Sequence, residues 1–375
     1  MKLLHLTTHL NTGGIARYLF LLGRHLVRRG HEVWVLSSGG ETLPQFERAG
    51  MRCVTFRIRT KNELHPKLLW AHPKITRFVR EQHFALLHAH TRVTQVLSAV
   101  LSRQTGIPYV ATCHGFFRRR VGRRLFPCWG EYTIAISEPV ARHLASDHGV
   151  DPSRIRTIVN AIDTEELLAA YARHDPAAVR AGYGIPPESV VVGSMGRLAA
   201  KKGWADLIRA LVLLRREAPK AHLLIAGEGR GRPKLQRLAQ RCGVAGAVHL
   251  VGAASDVSQP LAAMDLFALP TTWREGFGLV VAEAMTVGKP VVASDIEALN
   301  ALIRDGVDGF LVPLKDPAAL ARAFARLIRS PEQARAVALQ GQAKARREFT
   351  IERQAREVEA LYQDVVARAG QSASR

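Results

Sequence analysis

The chain's 375 residues exceed what one ordinary core organises, so two domains are expected. An apolar content of 47% with 23% charged residues is that of a soluble globular protein, and no stretch of about 18 residues is apolar and charge-free enough to span a bilayer. The formal net charge of +21 leans toward the first half and predicts anionic partners, whether nucleic acid, anionic lipid or a phosphate-rich substrate.

The opening MKLLHLTTHLNTGG has one lysine and only a short apolar run, which predicts no export signal. Residues 3–6 read as a strand, followed by a polar loop holding Gly13-Gly14, a helical pattern over 15–29 that Gly30 stops, and a second strand over 32–37. That is a βαβ unit with short connections. Further strands are expected at 53–56, 86–88, 109–112 and 132–136. Cys53, Cys113, Cys128 and Cys242 form no CxxC pair, so reduced cytosolic thiols are expected rather than disulfides or a zinc site.

A turn-rich stretch at 160–188, with Asn160, Asp175-Pro176, Gly182, Gly184 and Pro186-Pro187, reads as the join between domains. The second half then repeats the first: a strand over 190–196, a loop over 197–203, a helix over 204–217 and a returning strand over 222–227. Strands at 249–251, 266–269, 290–293 and 310–312 follow, alternating with helical patterns. Nearly continuous apolar strands between helices predict parallel sheets covered on both faces. The expected fold class is therefore α/β, with two doubly wound Rossmann-like domains over 1–165 and 185–349. A final amphipathic helix over 350–369 is expected to pack back on the first. Ligands of such sheets bind outside the C-terminal strand ends, so a cleft between the domains is the expected site.

The stretch EGFGLVVAEA, Glu275 to Ala284, carries the most specific chemistry. A strand precedes it, a loop with Gly276 and Gly278 follows, and a helix should begin near Gly278. Helical rise over the eight positions from Glu275 to Glu283 would part the two backbones by about 12 Å. Carboxyl pairs that hydrolyse glycosides stand about 5–9.5 Å apart, so hydrolysis fits poorly. Two acceptor groups holding two sets of hydroxyls along one extended ligand, with a phosphate near the helix start between them, fits better. A sugar nucleotide has that layout. The blander reading makes Glu275 a helix N-terminal charge favoured by the dipole and Glu283 a helix-face acid. An acid inside so apolar a helix should be buried, however, and a buried acid needs partners.

Taken with the rest of the chain, EGFGxxxxEAMxxGxPVV resembles the E-x7-E region of the retaining family-4 glycosyltransferases with the GT-B fold. The resemblance extends over most of the sequence. It takes in Thr12-Gly13-Gly14, His114-Gly115 after YVATC, AISE from Ala135, IVNAID from Ile158, the Gly196-Arg197 to Lys202-Gly203 loop, LLIAGEG and DGVDGFLVP. It implies transfer of a sugar from a UDP-, GDP- or ADP-linked donor to a glycan or lipid-linked acceptor, such as a bacterial glycolipid, lipopolysaccharide or polysaccharide precursor. Glu275 would contact hydroxyls of the transferred sugar and Glu283 those of the ribose. Arg197 and Lys202 would meet the diphosphate. Backbone amides of Phe277, Gly278 and Leu279 would touch phosphate or sugar, Gly13 and Gly14 would let their loop approach the donor, and His114 would line the reaction centre. The sequence departs from the family at Asn160-Ala161 and at Asp295-IEALN, so donor contacts from 294–300 are not carried over.

No D-x-D is present to bind a divalent metal on a diphosphate, and Arg197, Lys202 and a helix terminus could replace one, so no metal and no cofactor is expected. Phe116-FRRRVGRRLFP-Cys128 sets Arg118, Arg119, Arg120, Arg123 and Arg124 among aromatic and aliphatic groups, which suits an anionic membrane surface at the cytoplasmic face. The alternative is a solvated charged loop. An epimerase or phosphorylase on the same fold would need further site acids or a cofactor lysine, and neither stands out. Nucleic-acid binding finds support in the charge alone, since aromatics are 6% and no nucleic-acid motif appears.

Overall fold

The computed structural model describes residues 1–60, 62–63, 65–118, 122–123, 126–254 and 256–373. The chain divides into two compact units, Met1–Ala161 with Ile351–Arg375, and Ile162–Thr350.

In the first unit the strands are β1 (Lys2–Leu6), β2 (Glu32–Ser37), β3 (Arg52–Thr55), β4 (Leu86–Ala89), β5 (Tyr109–Cys113), β6 (Thr133–Ala135) and β7 (Ile155–Thr157). They form one parallel sheet in the order β3-β2-β1-β4-β5-β6-β7. Its central strands are buried at every position or nearly so, because helices cover both faces and leave no side for alternating polar residues. Helix Arg92–Thr105 starts at a capping box in which Thr91 and Thr94 satisfy each other's backbone amides.

The last helix, Ile351–Ala373, belongs to this unit and packs on helix Gly14–Arg28. Glu359 is bound to Arg29 at 2.6 Å and His31 at 2.7 Å. Gln354 donates to the Val159 carbonyl, and the Tyr362 hydroxyl lies 2.5 Å from His88 Nδ1.

The second unit carries β8 (Val190–Met195), β9 (Ala221–Ala226), β10 (Val248–Gly252), β11 (Leu266–Leu269), β12 (Val291–Ser294) and β13 (Phe310–Val312). These form a parallel sheet in the order β10-β9-β8-β11-β12-β13. Its core gathers Trp204, Leu207, Ile208 and Leu211 from one helix with Leu320, Phe324 and Leu327 from another, against β8, β9 and β11.

The turn-rich stretch expected at 160–188 folds into helices Thr164–Tyr171 and Pro176–Gly182, both within the second unit. Their caps are local: Asp163 accepts from the Glu166 amide and Asp175 from the Ala177 amide. The three-residue strand β7 was not expected; at that length it carries no periodicity to read.

Candidate functional site

Three loops meet at the C-terminal ends of β8, β9 and β11. The amide of Leu198, after β8, donates to the Glu228 carbonyl after β9, and the Gly231 amide donates back to the Leu198 carbonyl, both at 2.9 Å. The approach is so close that a Cβ on Gly227 would lie 1.9 Å from the Gly196 carbonyl oxygen. The same β8 loop is tied to the loop after β11. Gly203 has φ 74°, and a Cβ there would lie 1.7 Å from the Pro270 carbonyl oxygen. The Lys201 carbonyl accepts from the Thr272 amide at 2.9 Å and from the hydroxyls of Thr271 and Thr272 at 3.2 Å.

These ties bring two predicted residues together: Lys202 Nζ donates to Glu275 Oε1 at 2.5 Å. Both side chains are half-buried. Arg197 leaves the same loop exposed, its carbonyl accepting from the Trp204 indole N–H at 3.0 Å. Lys201, which the sequence did not single out, sits with Nζ 3.4 Å from the centroid of the exposed Trp273 ring.

Glu275 lies in the loop, and helix Leu279–Thr286 begins four residues later, with Gly278 at φ 102° ahead of it. A Cβ on Gly278 would lie 2.8 Å from a Leu299 methyl carbon. The helix start leaves the amides of Leu279 and its successors without intrahelical acceptors. Glu283, 2% exposed, stands just over one turn into this helix. The Phe277 ring is buried edge-on against Phe349 at 5.4 Å, so only its backbone is placed to meet a ligand. In the loop after β12, Asn300 donates to Asp295 at 2.7 Å.

In the first unit, Gly13 and Gly14 are exposed at the start of helix Gly14–Arg28. Their loop is held by the Thr12 amide donating to Glu41 at 2.7 Å and the Thr42 amide donating to the Leu10 carbonyl at 3.0 Å. His114 follows β5, half-buried, with Tyr18 packed edge-on at 4.7 Å. Its Nε2 is 3.2 Å from His90 Nδ1, and His90 Nε2 is 3.0 Å from His5 Nδ1. His88 is bonded to Tyr362 and, at 2.7 Å, to Thr112. Burial without a carboxylate pushes His5 and His114 down to about 3 and His88 and His90 well below the usual imidazole range, so all four are neutral. His88 and His90 stand two apart at the end of β4, a spacing that puts both on one face of the sheet. Burial pushes the Cys113 thiol up to about 12, which leaves it no nucleophile.

The basic segment requires a correction. Arg123 is 8% exposed, its guanidinium 4.0 Å from the Phe117 ring centroid and 5.3 Å from that of Trp129, so it does not face a headgroup. Arg118 is exposed, while Arg119, Arg120 and Arg124 lie outside the described residues.

Comparison with known proteins identifies the family. Residues 12–166 match the family model "Glycosyltransferase Family 4", and residues 177–344 match "Glycosyl transferases group 1". A D-inositol 3-phosphate glycosyltransferase of Segniliparus rotundus is 30% identical over 70% of this chain, which spans 62% of that enzyme. A phosphatidyl-myo-inositol mannosyltransferase of Mycobacterium leprae is 28% identical over 85% of this chain and 84% of its own length. Among solved structures, the Anabaena protein Alr3699/HepE, determined with UDP, superposes with a TM-score of 0.85 at 24% identity, covering 97% of this chain and all of that one. With both halves matched by glycosyltransferase models and both sheets folded as in such a structure, the chain belongs to the family-4 glycosyltransferases of the GT-B fold.

Proposed function

We propose that this protein moves a sugar from a nucleoside-diphosphate donor to a glycan or lipid-linked acceptor, with retention at the anomeric carbon and without a divalent metal. The observation that carries the proposal is the Lys202–Glu275 pair, held where the loops after β8 and β11 are stitched together. A departing nucleoside diphosphate gains negative charge, and preorganised cations stabilise it most effectively. Arg197 and Lys202 supply those cations, and the start of helix Leu279–Thr286 adds backbone amides and a favourable dipole.

Without ligand, Glu275 balances the Lys202 charge. A diphosphate arriving at Lys202 takes over that role and frees the carboxylate to accept from sugar hydroxyls. Glu283, buried in the same helix, accepts from the ribose, and by the family resemblance His114 lines the reaction centre. The Anabaena protein's UDP makes a UDP-linked sugar the first donor to try, with GDP- and ADP-linked sugars beside it.

The acceptor side rests on exposed apolar and cationic groups. Helix Pro66–Gln82 displays Leu69 and Trp70, 67% and 83% exposed, beside exposed Lys67, Lys74 and Arg77. Exposed Phe126 and Arg118 belong to the neighbouring chain segment. Such a surface suits peripheral docking on anionic lipid at the cytoplasmic face. Among the described residues no helix is long and apolar enough to cross a membrane. The Mycobacterium leprae relative, by its name, acts on phosphatidyl-myo-inositol, which favours a glycolipid acceptor.

The test is release of nucleoside diphosphate from UDP-glucose, GDP-mannose and ADP-glucose by wild type and Lys202→Ala, with and without a chelator. One donor should turn over regardless of chelator, and Lys202→Ala should lower kcat on the order of 10²–10³-fold, the usual loss for one charge-stabilising group. Equal rates in the two proteins would contradict the assignment.

A further inference from the structure

Three imidazoles run in a line from the interior of the first sheet to its C-terminal edge. His5 lies within β1, His90 just beyond β4 and His114 just beyond β5. They are joined by two contacts, His5 Nδ1 to His90 Nε2 at 3.0 Å and His90 Nδ1 to His114 Nε2 at 3.2 Å. His5 and His90 are fully enclosed, and His114 is half-buried at the outer end. Both nitrogens of His90 are engaged, so a neutral His90 donates one bond and accepts the other.

Only two proton arrangements satisfy the neutral line. In one, His5 Nδ1–H donates to His90, His90 Nδ1–H donates to His114 Nε2, and His114 carries its own proton on the outer Nδ1. In the other every proton sits on Nε2, and the outer Nδ1 of His114 is bare. The inner end distinguishes them, because His5 Nε2 is buried with no hydrogen-bond partner among the described residues. The first arrangement leaves a lone pair there and the second leaves an N–H. An orphaned buried N–H is the rarer defect in folded proteins, so the first arrangement is favoured.

We infer that His90 is a positioning residue that locks His114 in its Nδ1–H tautomer, so that it offers the ligand a hydrogen-bond donor and not a base. The inference rests on the reading above that His114 lines the reaction centre. The depressed pKa values of the four histidines agree with it, since a line that stays neutral cannot take up a proton from an acceptor. Nor do these residues form a metal cage. One nitrogen each of His5, His88 and His90 lies within 4.8 Å of the others, but His88 is bonded through both nitrogens to Tyr362 and Thr112, and His90 through both to histidines.

Two-bond nitrogen–proton correlation spectra of the full chain labelled with 15N-histidine test this directly, with His114 identified by its loss in His114→Ala. Wild-type His114 should show a protonated Nδ1 and a bare, downfield-shifted Nε2. His90→Phe removes the donor to His114 Nε2, so both tautomers of His114 should appear. His88→Phe alters a ring packed against the line but none of the line's hydrogen bonds, and should leave His114 in its wild-type tautomer. A wild-type His114 protonated on Nε2 would overturn the inference, as would a His90→Phe spectrum unchanged at His114. The spectra need no ligand, so they decide the tautomer whatever the enzyme transfers. Nucleoside-diphosphate release from UDP-glucose separately tests the transfer reading.

Discussion

Glu275 shares its charge with Lys202 before any ligand arrives, so its replacement does more than delete an acceptor. Glu275→Gln should keep a hydrogen bond to Lys202 yet lower kcat/KM for the transferred sugar by about 10²-fold, a loss of one charged acceptor worth about 2–3 kcal/mol. Binding of the bare nucleotide should hardly change, and a matching loss of nucleotide affinity would place Glu275 on the diphosphate instead. The buried histidines make a second prediction. Their folded-state pKa values lie below the unfolded value, so the unfolded chain takes up protons first as pH falls, and stability drops from about pH 6.5 downward. Between pH 7.5 and 5.5, His5 and His114 should each remove about 1 kcal/mol, read as a lower urea midpoint. An unchanged midpoint would mean that these groups are charged or solvated in the native state. Glu275 and Glu283 could be named from sequence because their spacing fits one extended ligand, and Arg197 and Lys202 because they fall in a family pattern. The His5–His90–His114 line could not, because its members lie in or just beyond three different strands and only the order of those strands in the sheet brings them together.

Loops, more than helices or strands, build the site, and their glycines are where it is most fragile. Gly203→Ala combines a left-handed backbone with a Cβ driven into the Pro270 carbonyl. It should destabilise the second unit by about 2–4 kcal/mol and weaken nucleotide binding, because Lys202 precedes it directly. A urea midpoint for that unit within experimental error of wild type would show that the loop rearranges at little cost. The inner strands of both sheets were legible because burial on both faces makes them almost wholly apolar, and the long helices because their apolar residues recur at helical spacing. What resisted reading were the short elements. β7 has three residues, and helices Thr164–Tyr171 and Pro176–Gly182 lie in a stretch whose prolines and glycines mark their ends rather than a linker. The ties among the loops after β8, β9 and β11 were equally hidden, since backbone carbonyls make most of them and any residue supplies a carbonyl.

At the scale of the whole molecule, the excess positive charge needs an anionic counterpart, and the proposal divides it between a diphosphate at the second unit and lipid at the first. Replacing Leu69 and Trp70 together by serine should release the protein from phosphatidylglycerol vesicles in a sedimentation assay while leaving nucleotide binding intact. Equal sedimentation with neutral and anionic vesicles would remove the electrostatic half of that account. The central claim is that the second unit holds a nucleoside diphosphate through Glu283, and a thermal-shift panel of UDP, GDP, ADP, CMP, NAD and a short DNA duplex on wild type and Glu283→Ala tests it most directly. At about a hundred times its dissociation constant, a ligand adds roughly 2.7 kcal/mol of stability, which should raise the melting temperature by a few degrees. The account predicts that one nucleoside diphosphate stabilises wild type and that Glu283→Ala loses most of that shift. Stabilisation by DNA alone, or an equal nucleotide shift in both proteins, would contradict it.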